Sequence, residues 1–297
     1  MKGWLIYDEV GMGRNKWFAE QMVNTGRELG LELTCKILPT EGKEYRELDS
    51  SLKQEILDKS LQEICEEKPG FVIMRAIVPA LTAVMEEQGI PVFNNAATAE
   101  IANDKWLTYC KALEWQIPVM ETVPGDGEMA LPMVIKVVSG HGGSQVYMAS
   151  DEAQKAGILD MLKARGLGPE DIILQKVCSH PGRDRRVYMM GDRVYEVVER
   201  SSEQDFRSNF LLGGNIALAE ASKEQQEVIA CLYEKLHFDL VGVDFIVHDG
   251  KWILNEIEDV VGTRMIYQLT DRDVVRDYLV YIRERLQEVI GPKNDLT

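Results

Sequence analysis

In the first third of the chain, short solid runs of apolar residues alternate with stretches striped at helical spacing. Residues 4–7, 31–38, 71–74 and 90–93 read as strands. Residues 15–29, 52–68 and 79–88 read as helices, with Pro69-Gly70 stopping the second. That alternation predicts a small open sheet of the βαβ type over residues 1–97. Gly11 and Gly13 follow the first strand, but Lys16 stands where a dinucleotide fingerprint needs its third glycine, so no nicotinamide site is expected. Arg75 falls just past a strand's carboxyl end, where open sheets bind ligands, although a surface arginine is the plainer reading.

Beyond residue 97 the pattern changes. Asn103-Asp104-Lys105 reads as a helix cap and first turn, with Trp106, Tyr109, Cys110 and Leu113 as the buried stripe and Lys105 off that face. Residues 132–149 carry Lys136 as the only charge in a run of Met, Val and Ile, followed by SGHGGS and a strand at 146–149. An edge strand would account for a lone lysine. The glycines favour a strand–loop–strand lid instead, because Gly140, Gly142 and Gly143 let backbone N–H groups close over phosphates. Residues 172–177 form a further strand, and 187–200 a hairpin turning at Gly191-Asp192. Ser222 and Gln225 make a capping box for a helix to about residue 236, and a closing helix runs over 271–290. The changes of pattern divide the chain at 98 and 179, giving an α/β domain over 1–97 and α+β subdomains over 98–178 and 179–297.

Residues 241–267 read VGVDFIVHDGKWILNEIEDVVGTRMIY, two apolar runs around Asp249-Gly250 interrupted by Asp244, Glu256 and Glu258. Strand side chains alternate faces, so Glu256 and Glu258 share one. A two-residue turn at Asp249-Gly250 pairs His248 with Lys251 and puts Asp244 on the opposite face from Glu256. A three-residue turn over 248–250 pairs Val247 with Lys251 and gathers all three acids. The three-residue turn is expected, because the apolar residues between the acids argue against a solvated outer face. Three gathered carboxylates suit a hard cation such as Mg²⁺.

A chain of 297 residues exceeds one small core and suits two domains or more. The net charge of −16 argues against general nucleic-acid binding while leaving room for a locally basic stretch from Arg183 to Arg207. Five scattered cysteines without a CxxC pair read as reduced thiols. Residues 1–8 show no signal-peptide pattern and no apolar run approaches a membrane span, so a cytoplasmic protein is expected. None of the four histidines has metal-ligand spacing.

Taken together, the motifs over residues 94–267 resemble one family, the ATP-grasp carboxylate–amine ligases, and within it the RimK-like type that adds glutamate to a ribosomal protein. The resemblance implies an ATP-grasp fold behind an N-terminal Rossmann-like open sheet. It implies that Lys105 and Lys136 contact ATP phosphates and that SGHGGS is the lid. It implies that Gln175, Lys176, Val177 and Cys178 form the hinge beside adenine, with Asp184 near the ribose. Arg186 matches the arginine of the family's G-x-D-x-R pattern, and Arg207, Ser208 and Asn209 a nucleotide contact. Asp244, Glu256 and Glu258 match the metal ligands, for two Mg²⁺ ions or Mn²⁺ in their place. Two departures stand out: Glu258 replaces the usual Asn, with Val261 in place of Pro, and Lys176 replaces a common Glu. The run EDVVGTRMIY suggests a branch with its own substrate, in which Arg264 grips a substrate carboxylate or makes a structural ion pair.

The implied reaction is ATP-dependent joining of an acid to an amine through an acyl phosphate, with Arg186, Arg207 and Arg264 as the catalytic arginines. Small-molecule or peptide acids and amines are the expected partners, with self-association into a homo-oligomer compatible with the pattern. The other classes in view are a phosphotransferase on the same scaffold and a nucleotide-binding module without turnover.

Overall fold

The computed structural model describes residues 1–140, 145–202, 205–207 and 214–290, except the side chains of 289 and 290. The chain divides into two compact units. One comprises Met1–Ala99, His237–Leu240 and the residues from Asp259 onward; the other comprises Glu100–Leu236 and Val241–Glu258. The divisions read from sequence run along the chain, whereas the first unit closes from three separated stretches.

In the first unit a parallel sheet is ordered β2-β1-β3-β4, from β1 (Lys2–Asp8), β2 (Glu32–Leu38), β3 (Val72–Met74) and β4 (Val92–Phe93). β1 is buried on both faces, as a central parallel strand must be. Trp4 and Ile6 pack with Val72, Met74, Ile56 and Leu81 on one side. Helix α1 (Glu9–Glu28) starts earlier than the stripe predicts, because Asp8 caps it through the Gly11 N–H at 2.5 Å. The expected start near residue 15 survives as a kink at Asn15 (φ −126°, ψ 22°). Helices α2 (Ser50–Glu67), α3 (Pro79–Glu87) and α4 (Ala96–Ala102) follow. The expected closing helix is α9 (Val274–Ile290), and a short helix that the pattern did not predict, α8 (Arg264–Leu269), precedes it.

Two buried polar side chains organise this unit. Arg75 is not the surface arginine of the plainer reading: it is 7% exposed, donates through Nη2 to the Val261 carbonyl at 2.9 Å, and lies over the Phe18 ring. Asn94 donates to the carbonyl of Leu240 (2.9 Å) and to the carbonyl and carboxylate of Asp259 (3.2 and 2.6 Å). It also accepts from the amides of Asp239 and Leu240 at 2.6 and 3.0 Å. Every donor and acceptor of this buried amide is used, the condition for burying it without loss.

The second unit holds two sheets. The antiparallel order β5-β8-β6-β7 is built from β5 (Thr122–Pro124), β6 (Met133–Val137), β7 (Val146–Ala149) and β8 (Ile172–Lys176). Helix α6 (Glu152–Ala164) packs Leu162 into its core with Met133, Ile135 and Leu174. The order β11-β10-β9-β12-β13 is built from β9 (Arg183–Met190), β10 (Arg193–Ser201), β11 (Asn215–Leu218), β12 (Leu240–His248) and β13 (Lys251–Glu258). Helix α7 (Lys223–Leu236) begins at the expected capping box, with Ser222 and Gln225 bonding each other's amides at 3.3 and 3.0 Å. Helix α5 (Lys105–Glu114) starts where its cap predicts, Asp104 accepting from Leu107 N at 2.7 Å, but buries a different stripe. Thr108 and Ala112 are its buried residues, while Trp106 and Tyr109 stack on each other and Leu113 is exposed. Small side chains let α5 approach closely, and bulky ones at those positions would hold it off.

Candidate active site

Each site residue of the second unit is aimed by strand parity, and parity here turns on two bulges. The β12–β13 turn is the two-residue Asp249-Gly250 type, with His248 paired to Lys251, both central residues at positive φ (50° and 76°). The three-residue turn expected from sequence is therefore wrong. The acids meet anyway, because the register slips by one residue between Asp244 and Phe245, leaving Asn255 as the extra residue. Beyond the bulge Asp244 lies opposite Glu256, and ligand atoms of Asp244, Glu256 and Glu258 all fall within 4.8 Å of one another.

The β9–β10 hairpin uses the same device. Its Gly191-Asp192 turn pairs Met190 with Arg193, and a slip between Val194 and Glu196 brings Arg200 opposite Asp184. Without that bulge Arg200 would sit opposite Arg183, on the other face. Arg200 is the member of this cluster that sequence reading misses. It is 4% exposed, grips Asp184 at 2.5 and 2.8 Å and donates to Asp244 at 2.7 Å.

Arg186, two residues after Asp184 on the same face, holds both oxygens of Asp244 at 2.7 Å and reaches Glu258 at 2.6 Å. This fork is the geometry a guanidinium makes with carboxylates. Lys105 pairs with Glu256 at 3.1 Å and donates to the Gly140 carbonyl. Lys136 is 7% exposed and donates to Asn255 Oδ1 at 2.8 Å. Strand β6 lies between β8 and β7, so Lys136 is a central-strand lysine and the edge-strand reading fails.

The electrostatics follow from burial and these pairs. Burial lowers the Lys136 ammonium to about 8, with Glu256 opposing and Lys105 adding to the shift. Burial would raise Asp244, but Arg186 and Arg200 hold it well below the usual carboxylate range. Glu256 is also depressed, because Lys105, Lys136 and Arg186 together outweigh its burial and the neighbouring Asp244. Glu258 moves the other way: burial and its acidic neighbours raise it despite Arg186. The cluster therefore has one carboxylate whose charge is under-compensated. Arg186 is held well above its ordinary value by Asp244 and Glu258, against its burial.

A cleft opens beside the cluster. Its apolar wall includes Val134, Val146, Met148 and Ile246, surfaces suited to a flat ring. Of the residues matched by resemblance, Lys136, Gln175, Lys176, Val177, Asp184, Arg186, Arg207, Asp244 and Glu256 line it. Val177 and Cys178 follow the end of β8, outside its ladder, on the cleft wall. The Gln175 side chain points into the sheet, donating to Thr122 Oγ1 at 3.0 Å. Arg207 pairs with Asp205 at 2.7 Å. Gly182 (φ +79°) anchors that wall, since its N–H meets Phe206 O at 2.7 Å and any Cβ would strike the Ser202 and Asp205 carbonyls. On the reverse face of β9, Arg183 and Arg185 lie over the Trp252 ring and both pair with Glu199.

Gly142, Gly143, Ser208 and Asn209 lie outside the described residues, as does His141. Gly140 is described, its carbonyl taken by Lys105. Arg264 belongs to the other unit, at the start of α8, where Nη2 donates to the Arg14 carbonyl at 2.9 Å; that bond is to backbone, and no ion pair of Arg264 is seen among the described residues.

Solved structures show that the fold is ATP-grasp. The D-alanine–D-alanine ligase from Bacillus anthracis in complex with ATP matches with TM-score 0.70 at 14% identity, over 98% of this chain and 100% of that one. A RimK domain ATP-grasp protein from Sphaerobacter thermophilus matches with TM-score 0.64 at 14% identity, over 95% and 98%.

The chain belongs to the RimK-like ATP-grasp domain family, which matches residues 111–282, and so to the carboxylate–amine, carbon–nitrogen ligases. It is 24% identical to a probable alpha-L-glutamate ligase from Haemophilus ducreyi, over 66% of this chain and 68% of that one. It is 25% identical to the glutamate–LysW ligase ArgX from Sulfurisphaera tokodaii, over 68% and 76%. Of another probable alpha-L-glutamate ligase, from Xanthomonas axonopodis pv. citri (29% identical over 54% of this chain), it spans about half, 54%. Among the described residues no helix is long and apolar enough to cross a membrane.

Proposed function

We propose that this chain joins the amino group of L-glutamate to the carboxylate of a small acid or peptide, cleaving ATP to ADP and phosphate. The observation that carries the reading is the apposition of Lys105 to Glu256 at 3.1 Å, where Glu256 is one of three acids within 4.8 Å of one another beside the cleft. The relatives named for glutamate ligation support glutamate as one of the two substrates.

The donor set fits a divalent cation. It offers hard carboxylate oxygens at ligand spacing, and Asp244 Oδ1 keeps a lone pair beyond the one that accepts from Arg186. Asp244, Glu256 and Glu258 would hold Mg²⁺ or Mn²⁺, one ion or two, whose charge would neutralise the β- and γ-phosphate oxygens.

The rest is positioning and charge. Lys136 and Lys105 grip phosphate oxygens, the 175–178 hinge takes the adenine, and Asp184 faces the ribose. The acid's carboxylate oxygen attacks the γ-phosphorus and ADP leaves, giving an acyl phosphate. The amine nitrogen then attacks the carbonyl carbon, the C–O bond to phosphate breaks, and phosphate departs with the electron pair and a proton from the amine. Arg186 and Arg207 stabilise the negative charge carried through both steps.

ADP release measured with L-glutamate and a panel of acids tests this. Release that requires both substrates, with a product lighter by one water than the two combined, is the expected result. Release with the acid alone, leaving a stable phosphorylated product, would establish a phosphotransferase instead. Nucleotide binding without turnover across the panel would mark a binding module.

A further inference from the structure

We propose that Asn255 is the positioning residue that keeps Lys136 available to the nucleotide; the inference rests on the nucleotide-binding part of the reading above. The bulge that aligns Glu256 with Asp244 leaves Asn255 as its extra residue, and both Asn255 and Glu256 then face the cleft. Asn255, Lys136 and Gln175 also line a second, smaller pocket that includes Lys105, so they stand as the partition between the two.

Two ammonium groups, the buried one of Lys136 and the partly buried one of Lys105, lie beside the carboxylate of Glu256. An ammonium buried in mid-sheet needs an acceptor. Lys105 takes Glu256 at 3.1 Å, and Lys136 takes the neutral amide oxygen of Asn255 at 2.8 Å. The amide thus sorts the lysines. With an apolar side chain at 255, the Lys136 ammonium would turn to Glu256, occupying a metal-ligand oxygen and withdrawing from the phosphates. A neutral acceptor holds the lysine weakly enough for a phosphate oxygen to displace or share it.

The test is a double-mutant cycle on nucleotide affinity, which needs neither the acid nor the amine substrate. Calorimetric titration with a non-hydrolysable ATP analogue and Mg²⁺ compares the parent, Asn255→Leu, Lys136→Ala and the double variant. Asn255→Leu should weaken binding by about tenfold. The double variant should bind within about twofold of Lys136→Ala, because Asn255 acts only through the lysine. A merely structural asparagine would lower the melting temperature and give additive losses. Should Asn255→Leu not fold, Asn255→Ala completes the same cycle. Additive effects, or parental affinity in either Asn255 variant, would overturn the proposal while leaving the ligase reading intact. A parent that binds no nucleotide would sink both.

Discussion

Asp239 offers a stability measurement whose size follows from the structure. Its carboxyl is 5% exposed in the unit that contains the parallel sheet. Tyr281 donates to it at 2.8 Å, and Arg285, Asp259 and Glu86 are its other charged surroundings. Burial raises it to about 7, with Tyr281 and Arg285 opposing. The unfolded carboxyl titrates at about 3.8, so folding binds the proton more tightly than the open chain does. Stability from this group is complete below about pH 4 and is lost as pH rises through about 7. A shift of about three units corresponds to about 4 kcal/mol, of which roughly 2.5 falls between pH 5 and pH 8. Asp239→Asn removes the titration while keeping an oxygen for Tyr281. Its new amide hydrogens cost a similar amount at every pH, so the difference between variant and parent isolates the linkage. Urea unfolding followed by circular dichroism should show the variant gaining about 2.5 kcal/mol on the parent from about pH 5 to pH 8. A difference that stays flat within about 1 kcal/mol over that range would refute the reasoning.

Glu256→Gln removes a ligand charge without changing shape, and turnover should fall by about a hundredfold or more with the circular dichroism spectrum unchanged; activity within a few-fold of the parent would dismiss the acid cluster as the metal centre. Arg200→Met strips the buried guanidinium from Asp184 and Asp244, and denaturant unfolding should report a loss of about 3–5 kcal/mol. Ser222→Ala takes one partner from the α7 capping box, and the same unfolding assay should show a loss of about 1 kcal/mol.

The sequence made the acids and lysines visible as charges set in apolar runs, Lys136 most clearly. It made the parallel sheet visible through solid runs bounded by Pro and Gly. What it did not announce was parity. Asp244 faces Glu256 only because Asn255 is the extra residue of a bulge, and Arg200 faces the cleft only because the strand slips at Tyr195. A bulge is chosen by packing on both faces of a sheet, which local spacing cannot report. The one local hint was Asn255 itself, a polar residue of low strand propensity inside an apolar run. Arg75 and Asn94 were equally opaque, since their partners lie 186 and up to 165 residues away in the chain. Strands β5 and β11 escaped notice because they are mostly outside the core and no solid apolar run marks them. The α5 stripe misled because it was weighed by hydrophobicity, while close helix approach selected Thr108 and Ala112 by size.

The run Arg183-Asp184-Arg185-Arg186 divides its contacts by alternation: Asp184 and Arg186 turn to the acid cluster and Arg200, while Arg183 and Arg185 clasp Trp252 and Glu199. Catalytic aim is thus set partly from the rear. A substitution such as Trp252→Ala, outside the cleft lining, would loosen Arg186, the arginine proposed to stabilise the transferred charge. Variants that tune this enzyme need not touch its cleft, and a search confined to the lining would pass over them.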